Sequence, residues 1–363
     1  MLGALRVMMR DSDSSPWDRL RALPVAVESY ELERLSASLS YGFERVTTRI
    51  RLVGGGTDGR GEDVSPYEDE ADTLHTMGPV LPLAGEWTLE SFCDRLTQLD
   101  QWPVPPRWEM ARRWRNWAFE SAALDLALNQ AGRALHDMIG RPPGAVRFVN
   151  SLGLGDPPSF DPIRRRLERH PQLRLKLDAG ADWTAELIDQ VAATEAVEIV
   201  DFKGQYGLEI GEIPALLAMY ERVIAAFPDA LLEDAHDLAE VAELLEPEAG
   251  RISYDAPIQS VADLEATLLP LRAVNIKPCR VGDLRALFDV YAECDARGVI
   301  AYGGGMGELD VGRWQIQLLA SIFHADAPND VAPSGYNVDT PAADLPPSPL
   351  PARPATTGFR RAP

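Results

Sequence analysis

Five charged residues recur through the second half of the chain, each closing a short apolar run: Leu173–Lys176, Val197–Asp201, Ala230–Glu233, Arg251–Asp255 and Ala273–Lys277. They stand 25 (201−176), 32 (233−201), 22 (255−233) and 22 (277−255) residues apart. Each interval has room for one strand, one helix and their loops, so the repeat predicts a β/α barrel. The C-terminal ends of the strands form the catalytic face of such a barrel, and all five charges fall there. Three carboxylates between two lysines make a metal site with a base on either side.

Val146–Asn150 precedes this ladder, and Gly298–Tyr302 and a segment near 327–333 follow it, giving eight strand candidates. Further upstream, Arg45–Val53 alternates, Gly54–Gly61 reads as a turn, and the pattern resumes at Glu62, which predicts a hairpin opening an α+β domain. Small and apolar residues then recur at helical spacing from Met110, and Gly140 with Pro142 and Pro143 ends that pattern. The expected organisation is a disordered leader over 1–23, an α+β capping domain with its joining helix over 24–140, and a β/α barrel over 141–335. A disordered Pro/Ala-rich tail is expected over 336–363.

Composition removes several classes of function. A chain of 363 residues with net charge −21 and no basic stripe is not built to bind nucleic acid. No apolar run reaches membrane-spanning length, and the opening residues lack the order of a signal peptide. Cys93, Cys279 and Cys294 are too few and too irregular for a disulfide framework or a thiolate zinc site, so a reducing, cytoplasmic setting is expected.

Asp201, Glu233 and Asp255, carried on consecutive strands, can converge as oxygen ligands on one hard cation, for which Mg²⁺ is the natural occupant. The competing reading has each acid capping a helix or pairing at the surface. Lys176 and Lys277 flank the acids in chain order, so one can remove a proton while the other returns one. A lysine with a reference pKa of about 10.4 is a poor base at neutral pH, and nearby positive charge with partial burial is expected to lower it. Taken singly, either lysine is more often a solvated or salt-bridged residue.

The order Lys, Asp, Glu, Asp, Lys across successive strand ends resembles the enolase superfamily, in particular its muconate-cycloisomerase-like subgroup, over roughly residues 24–335. Arg45–Glu62 is similar to that family's capping hairpin, Glu120–Ala127 to the helix entering the barrel, and Tyr302–Gly312 to the seventh-strand region, where Glu308 takes the place of a common family glutamate. The resemblance implies a modified (β/α)8-type, or β7α, barrel with an N-terminal α+β cap. It also implies Mg²⁺ on the triad, and a base that takes the α-proton of a small carboxylate to give a metal-stabilised enediolate. Dehydration, cycloisomerisation or racemisation would complete the reaction; a homo-oligomer is a further expectation.

The chain departs from the family in three places. The family usually has two lysines separated by one residue on the second strand, whereas this chain has Arg174-Leu-Lys176-Leu-Asp178, so either Lys176 or Asp178 can occupy the catalytic position. The loop after Lys277 reads Pro-Cys-Arg-Val-Gly-Asp where the family often has Gly-Gly. Lys203, two residues after Asp201, replaces a frequent asparagine, and is expected to meet the substrate or partly replace the cation. His236 has no second histidine at metal spacing, and Gly303–Gly307 lacks the setting of a dinucleotide fingerprint. A metal-dependent lyase or isomerase is the expected function; the alternative is a catalytically lapsed relative that binds a carboxylate ligand.

Overall fold

The computed structural model describes residues 15–39, 44–207 and 211–362. Its first half contains α1 (Pro16–Leu20), β1 (Pro24–Val27), β2 (Ser29–Ser38), β3 (Glu44–Gly54), β4 (Thr57–Asp63), α2 (Glu68–Met77), β5 (Gly85–Thr88), α3 (Leu89–Thr97), α4 (Met110–Gln130) and α5 (Leu135–Ile139). The second half alternates β6 (Asn150–Leu152), α6 (Asp161–Leu167), β7 (Leu175–Asp178), α7 (Ala185–Ala192), β8 (Val197–Asp201), α8 (Ile213–Ala226), β9 (Leu231–Glu233) and α9 (Ala239–Leu245). It ends with β10 (Ile252–Tyr254), β11 (Ala273–Ile276), α10 (Pro278–Val281), α11 (Leu284–Arg297), β12 (Ile300–Gly303) and α12 (Val311–Phe323).

Strands β6 to β12 form one seven-stranded parallel sheet in chain order. The sheet curls until its edges nearly meet. The expected eighth strand is reduced to two parallel bridges, Phe148 to Asn329 and Gly304 to Asp330, which close the seam between β6 and β12. Asn329 locks that seam: its side-chain amide donates to the Arg147, His324 and Ala327 carbonyls, and its carbonyl accepts the Gly303 N–H at 2.7 Å. No full helix links β10 to β11, where only a 3-10 turn at Ala262–Leu264 is found. The architecture is therefore a modified α/β barrel with an α+β cap.

The cap is the antiparallel sheet β2-β3-β4 packed on α4. Its hairpin differs from the expected one. Only Gly55 and Gly56, with φ of 60° and 74°, make the turn, and Thr57–Asp63 is already strand. The later glycines serve close packing: a Cβ on Gly59 would lie 2.2 Å from the Leu126 amide nitrogen, and one on Gly61 2.0 Å from the Ala118 carbonyl oxygen. Helix α4 thus presses backbone to backbone on β4, which accounts for the small residues along it.

Two expectations of disorder are corrected. Residues 1–14 lie outside the described residues, but Ser15 caps α1 and both Trp17 and Leu20 are buried, so residues 15–23 are folded. The stretch over 336–362 packs along the protein rather than trailing from it. Leu350 bridges to Val146, Gly358 to Ala134, and Phe359 is fully buried against Trp117 with its N–H on Asp125. Prolines give this segment no periodicity, and a few apolar anchors, Tyr336, Leu350 and Phe359, hold it in place. No helix among the described residues is long and apolar enough to cross a membrane.

Candidate active site

Side chains alternate across a strand, so residues two apart share the barrel interior. Val149, Ile199, Ala273 and Tyr302 form a small apolar cluster of their own, apart from the main core. Two residues further along the same strands come Asp201 after Ile199 and Asn275 after Ala273; Lys277 follows two residues after Asn275. The ladder is therefore a charged layer resting on an apolar floor, at the C-terminal mouth of the barrel. Asp178, Asp201 and Glu233 are neighbours in strand register, and Ser253 follows Glu233.

The layer converges as the sequence predicts. Asp201, Glu233 and Asp255 each offer a carboxylate oxygen within 4.8 Å of the others, and all three are buried. An all-oxygen anionic set of this size fits a hard divalent cation. Lys176, almost fully buried, donates to Glu233 Oε1 and lies 3.2 Å from Asp201 Oδ2. Lys277 Nζ donates to Asp255 Oδ2 at 2.8 Å. The two ammonium groups thus reach the carboxylates from β7 on one side and from the end of β11 on the other.

Lys176 and Asp178 take different places at the end of β7. Lys176 points at the triad, while Asp178, one inward position higher, pairs with Lys203 at 3.1 Å and lines the mouth. Lys203 also meets Asp201, through its amide at 2.9 Å to Oδ1 and its ammonium at 2.5 Å to Oδ2. Glu308 stands apart from the triad: its Oε1 accepts the Met306 N–H and its Oε2 lies 3.4 Å from Arg313 Nη2. His236 bonds Tyr220 at 2.9 Å and belongs to no metal-ligating group among the described residues.

Charges in the layer set one another. Burial raises Asp201, but Lys176 and Lys203 outweigh it and hold the carboxyl at about 2. Burial likewise raises Asp255, which Arg280 and Lys277 pull well below the carboxylate range. For Lys176, burial favours the neutral amine, yet Glu233, Asp201 and Asp255 together hold it well above its ordinary value. The carboxylates set this direction; the lowered lysine expected from the sequence belongs to a layer whose carboxylate charge a bound cation offsets.

Sequence reasoning missed several residues of this layer. Arg280, three residues after Lys277 in the single turn of α10, donates to both oxygens of Asp255 and to Tyr206 Oη. Tyr206 Oη donates to Asp255 Oδ2 at 3.0 Å. Tyr302 donates to Glu233 Oε2, and Ser253 Oγ lies 2.5 Å from the same phenol oxygen. Asp234 accepts the N–H groups of Asp255 and Ala256, tying the end of β9 to the end of β10. Helical spacing after Lys277 could have revealed Arg280; Tyr302 closes the next apolar run, and its place at a strand end was the signal for it.

The cap fastens the loop after β12. Glu62 accepts N–H groups from Leu309, Asp310 and Gly312 at 2.6, 3.0 and 2.9 Å, and Arg45 donates to the Met306 and Gly307 carbonyls. Beside this loop, a cavity of about 150 Å³ is lined by Ser151, Gly305, Gly307, Arg313, Asp330 and Asn337. A larger one of about 530 Å³ shares Ser151 and Asn337 and reaches Asp178. A third, about 440 Å³, lies away from the ladder between α3, α4 and the α10–α11 turn.

Comparison with known proteins agrees with this geometry. Residues 18–138 match the N-terminal domain, and residues 142–338 the C-terminal domain, of a family described as domain of unknown function DUF8230. An N-succinylamino acid racemase from Thermus thermophilus is 27% identical over 336 residues, 84% of this chain and 85% of that one. The Bacillus subtilis o-succinylbenzoate synthase is 23% identical over 326 residues, 85% of this chain and 86% of its own. The chain belongs to the DUF8230 family, and its resemblance is to the enolase superfamily, in its mandelate racemase/muconate lactonizing subgroup. The fold agrees with solved members. A dipeptide epimerase from Enterococcus faecalis superposes with a TM-score of 0.64 at 14% identity, covering 92% of this chain and 99% of that one. A mandelate racemase/muconate lactonizing-type protein from Roseovarius nubinhibens, solved in complex with magnesium, gives 0.63 at 18% identity, covering 93% and 96%. The buried Asp201, Glu233 and Asp255 group is of the divalent-metal type seen in this superfamily.

Proposed function

We propose that this chain is a Mg²⁺-dependent lyase or isomerase that removes the α-proton of a small carboxylate substrate. The observation that carries the reading is the flanked triad: three buried carboxylates within 4.8 Å of one another, with Lys176 and Lys277 bonded to them from different strands. Asp201, Glu233 and Asp255 would hold the cation, which when bound supplies the positive charge that makes a carboxylate's weakly acidic α-proton removable. Lys176 and Lys277 move the proton at their Nζ atoms, one taking it and the other returning one to the product. Arg280 and Tyr206 fix Asp255, Tyr302 fixes Glu233, and the buried layer keeps water from the reacting carbon. The adjoining cavities at the barrel mouth receive the rest of the substrate, with Glu308 and the loop fastened by the cap beside them.

The relatives' names point to racemisation and to synthase chemistry, both of which can begin with such a proton transfer, so we place this chain in that reaction class. The test is to incubate metal-stripped protein with a panel of N-acylamino acids, hydroxy acids and unsaturated dicarboxylates, with and without Mg²⁺. Products are read by mass spectrometry and chiral chromatography. Turnover that requires Mg²⁺ and disappears in Asp255→Asn supports the proposal; turnover indifferent to metal contradicts it. The alternative, a relative that only binds a carboxylate ligand, is favoured by one observation, the Lys203 ammonium seated on Asp201. It would show binding in calorimetry without turnover.

A further inference from the structure

We infer that Lys203 is a tethered cation that competes with a divalent metal for Asp201 and so sets the metal affinity of the triad; the inference rests on the metal role proposed above. One residue claims both oxygens of this carboxylate, its amide at 2.9 Å on Oδ1 and its ammonium at 2.5 Å on Oδ2. To do so Lys203 adopts a φ of +56°, a left-handed conformation that a lysine rarely takes and that its surroundings must impose. They do: the Phe202 N–H bonds the Glu233 carbonyl at 2.9 Å and the Gly204 N–H bonds the Asp234 carbonyl at 2.7 Å, pinning the chain on both sides.

The ammonium reaches Asp201 from the rim. The Lys203 side chain is 29% exposed while that of Asp201 is fully buried, and Asp178 at 3.1 Å offers Lys203 a second carboxylate on the mouth side. The other cations of the layer are held within the triad: Lys277 and Arg280 donate to Asp255, and the buried Lys176, though 3.2 Å from Asp201 Oδ2, donates to Glu233. Lys203 is thus the rim cation that can leave Asp201 for an anionic partner outside the triad, Asp178. A metal ligated by Asp201 must displace it from Oδ2, and the displaced charge then stands within a few ångströms of a dication. Both effects weaken metal binding relative to a chain without this ammonium. Displaced toward Asp178, the ammonium borders the 530 Å³ cavity, where the anionic group of a carboxylate ligand would meet it. Metal and carboxylate are therefore expected to load cooperatively, each raising the affinity of the other.

The experiment titrates the metal-stripped full chain with Mn²⁺ alone, reading free metal by electron paramagnetic resonance and heat by calorimetry. Wild type is compared with Lys203→Met, Lys203→Asn, Lys203→Arg and Asp255→Asn, with circular dichroism confirming that each is folded. The asparagine variant removes the ammonium with a residue that tolerates positive φ, so a folding defect in the methionine variant does not leave the question open. The expected result is binding at least tenfold tighter in Lys203→Met or Lys203→Asn than in wild type, with Lys203→Arg close to wild type. Equal or weaker binding by the folded neutral variants overturns the inference while leaving the metal site standing. If neither wild type nor these variants bind Mn²⁺ better than Asp255→Asn, the metal role of the triad fails, and this inference with it.

Discussion

Around Glu233, the carboxylate is held on both oxygens, by Lys176 on Oε1 and by the Tyr302 phenol on Oε2. Burial and the neighbouring Glu233 push the phenol well above its ordinary value, so it stays a donor at any working pH. Groups that orient a metal ligand commonly contribute 10- to 100-fold to metal affinity. Tyr302→Phe should therefore bind Mn²⁺ about tenfold or more weakly in the same titration, with little change in thermal stability; unchanged affinity would show that Glu233 needs no such anchor. Asp178 and Lys176 separate in the same way. The geometry gives Asp178 a place at the mouth and Lys176 the place on the triad, so Asp178→Asn should retain proton exchange that Lys176→Met loses by about 10²- to 10⁴-fold. Exchange lost in Asp178→Asn and kept in Lys176→Met would reverse the assignment.

At the scale of elements, β4 and α4 decide how the cap seats on the barrel. A methyl group on Gly61 would meet the Ala118 carbonyl oxygen at 2.0 Å, a backbone atom that cannot step aside. Gly61→Ala should cost about 1 to 3 kcal/mol, read as a lowered midpoint in urea unfolding, whereas Gly56→Ala, with nothing within 4 Å, should cost only its positive-φ strain. This pair also marks where the sequence was legible. The barrel strands could be read because each ends in a charge after an apolar run, and Lys176, Asp201, Glu233, Asp255 and Lys277 all reach one layer. The glycines of 54–61 read as one turn because sequence does not distinguish glycine needed for φ from glycine needed for close approach. Arg280 escaped because it falls off the ladder's spacing, and Tyr302, 25 residues (302−277) after Lys277 at the end of the next apolar run, because a phenol does not share the ladder's charge. The segment near 327–333 is legible as a strand candidate but forms no full strand, because closure here takes two bridges and one asparagine side chain.

For the whole molecule, the seam between cap and barrel carries a buried acid. Glu120 on α4 accepts the Leu284 N–H at the start of α11, and burial with the nearby Asp283 charge raises it from 4.5 to about 8. An acid whose pKa is raised on folding stabilises the fold below its unfolded value, and that stability is lost as pH rises through the folded one. Melting curves from pH 5 to 9 should therefore show Glu120→Gln gaining on wild type up to about pH 8 and level beyond; a constant difference would mean Glu120 is not protonated in the fold. Phe359 ties the C-terminal segment to the same helix, and Phe359→Ala should cost roughly 3 to 5 kcal/mol by unfolding in denaturant, whereas a loosely attached tail would show no loss. The central claim is that two lysines flank a metal triad and move an α-proton. Its most direct measurement is α-deuterium incorporation from D₂O into carboxylates bound by the Mg²⁺-loaded protein, followed by mass spectrometry in wild type, Lys176→Ala and Lys277→Ala. The account predicts incorporation by wild type that falls by about 10²-fold or more in at least one lysine variant; a carboxylate that binds at the site yet never exchanges, or exchange untouched by both substitutions, would contradict it.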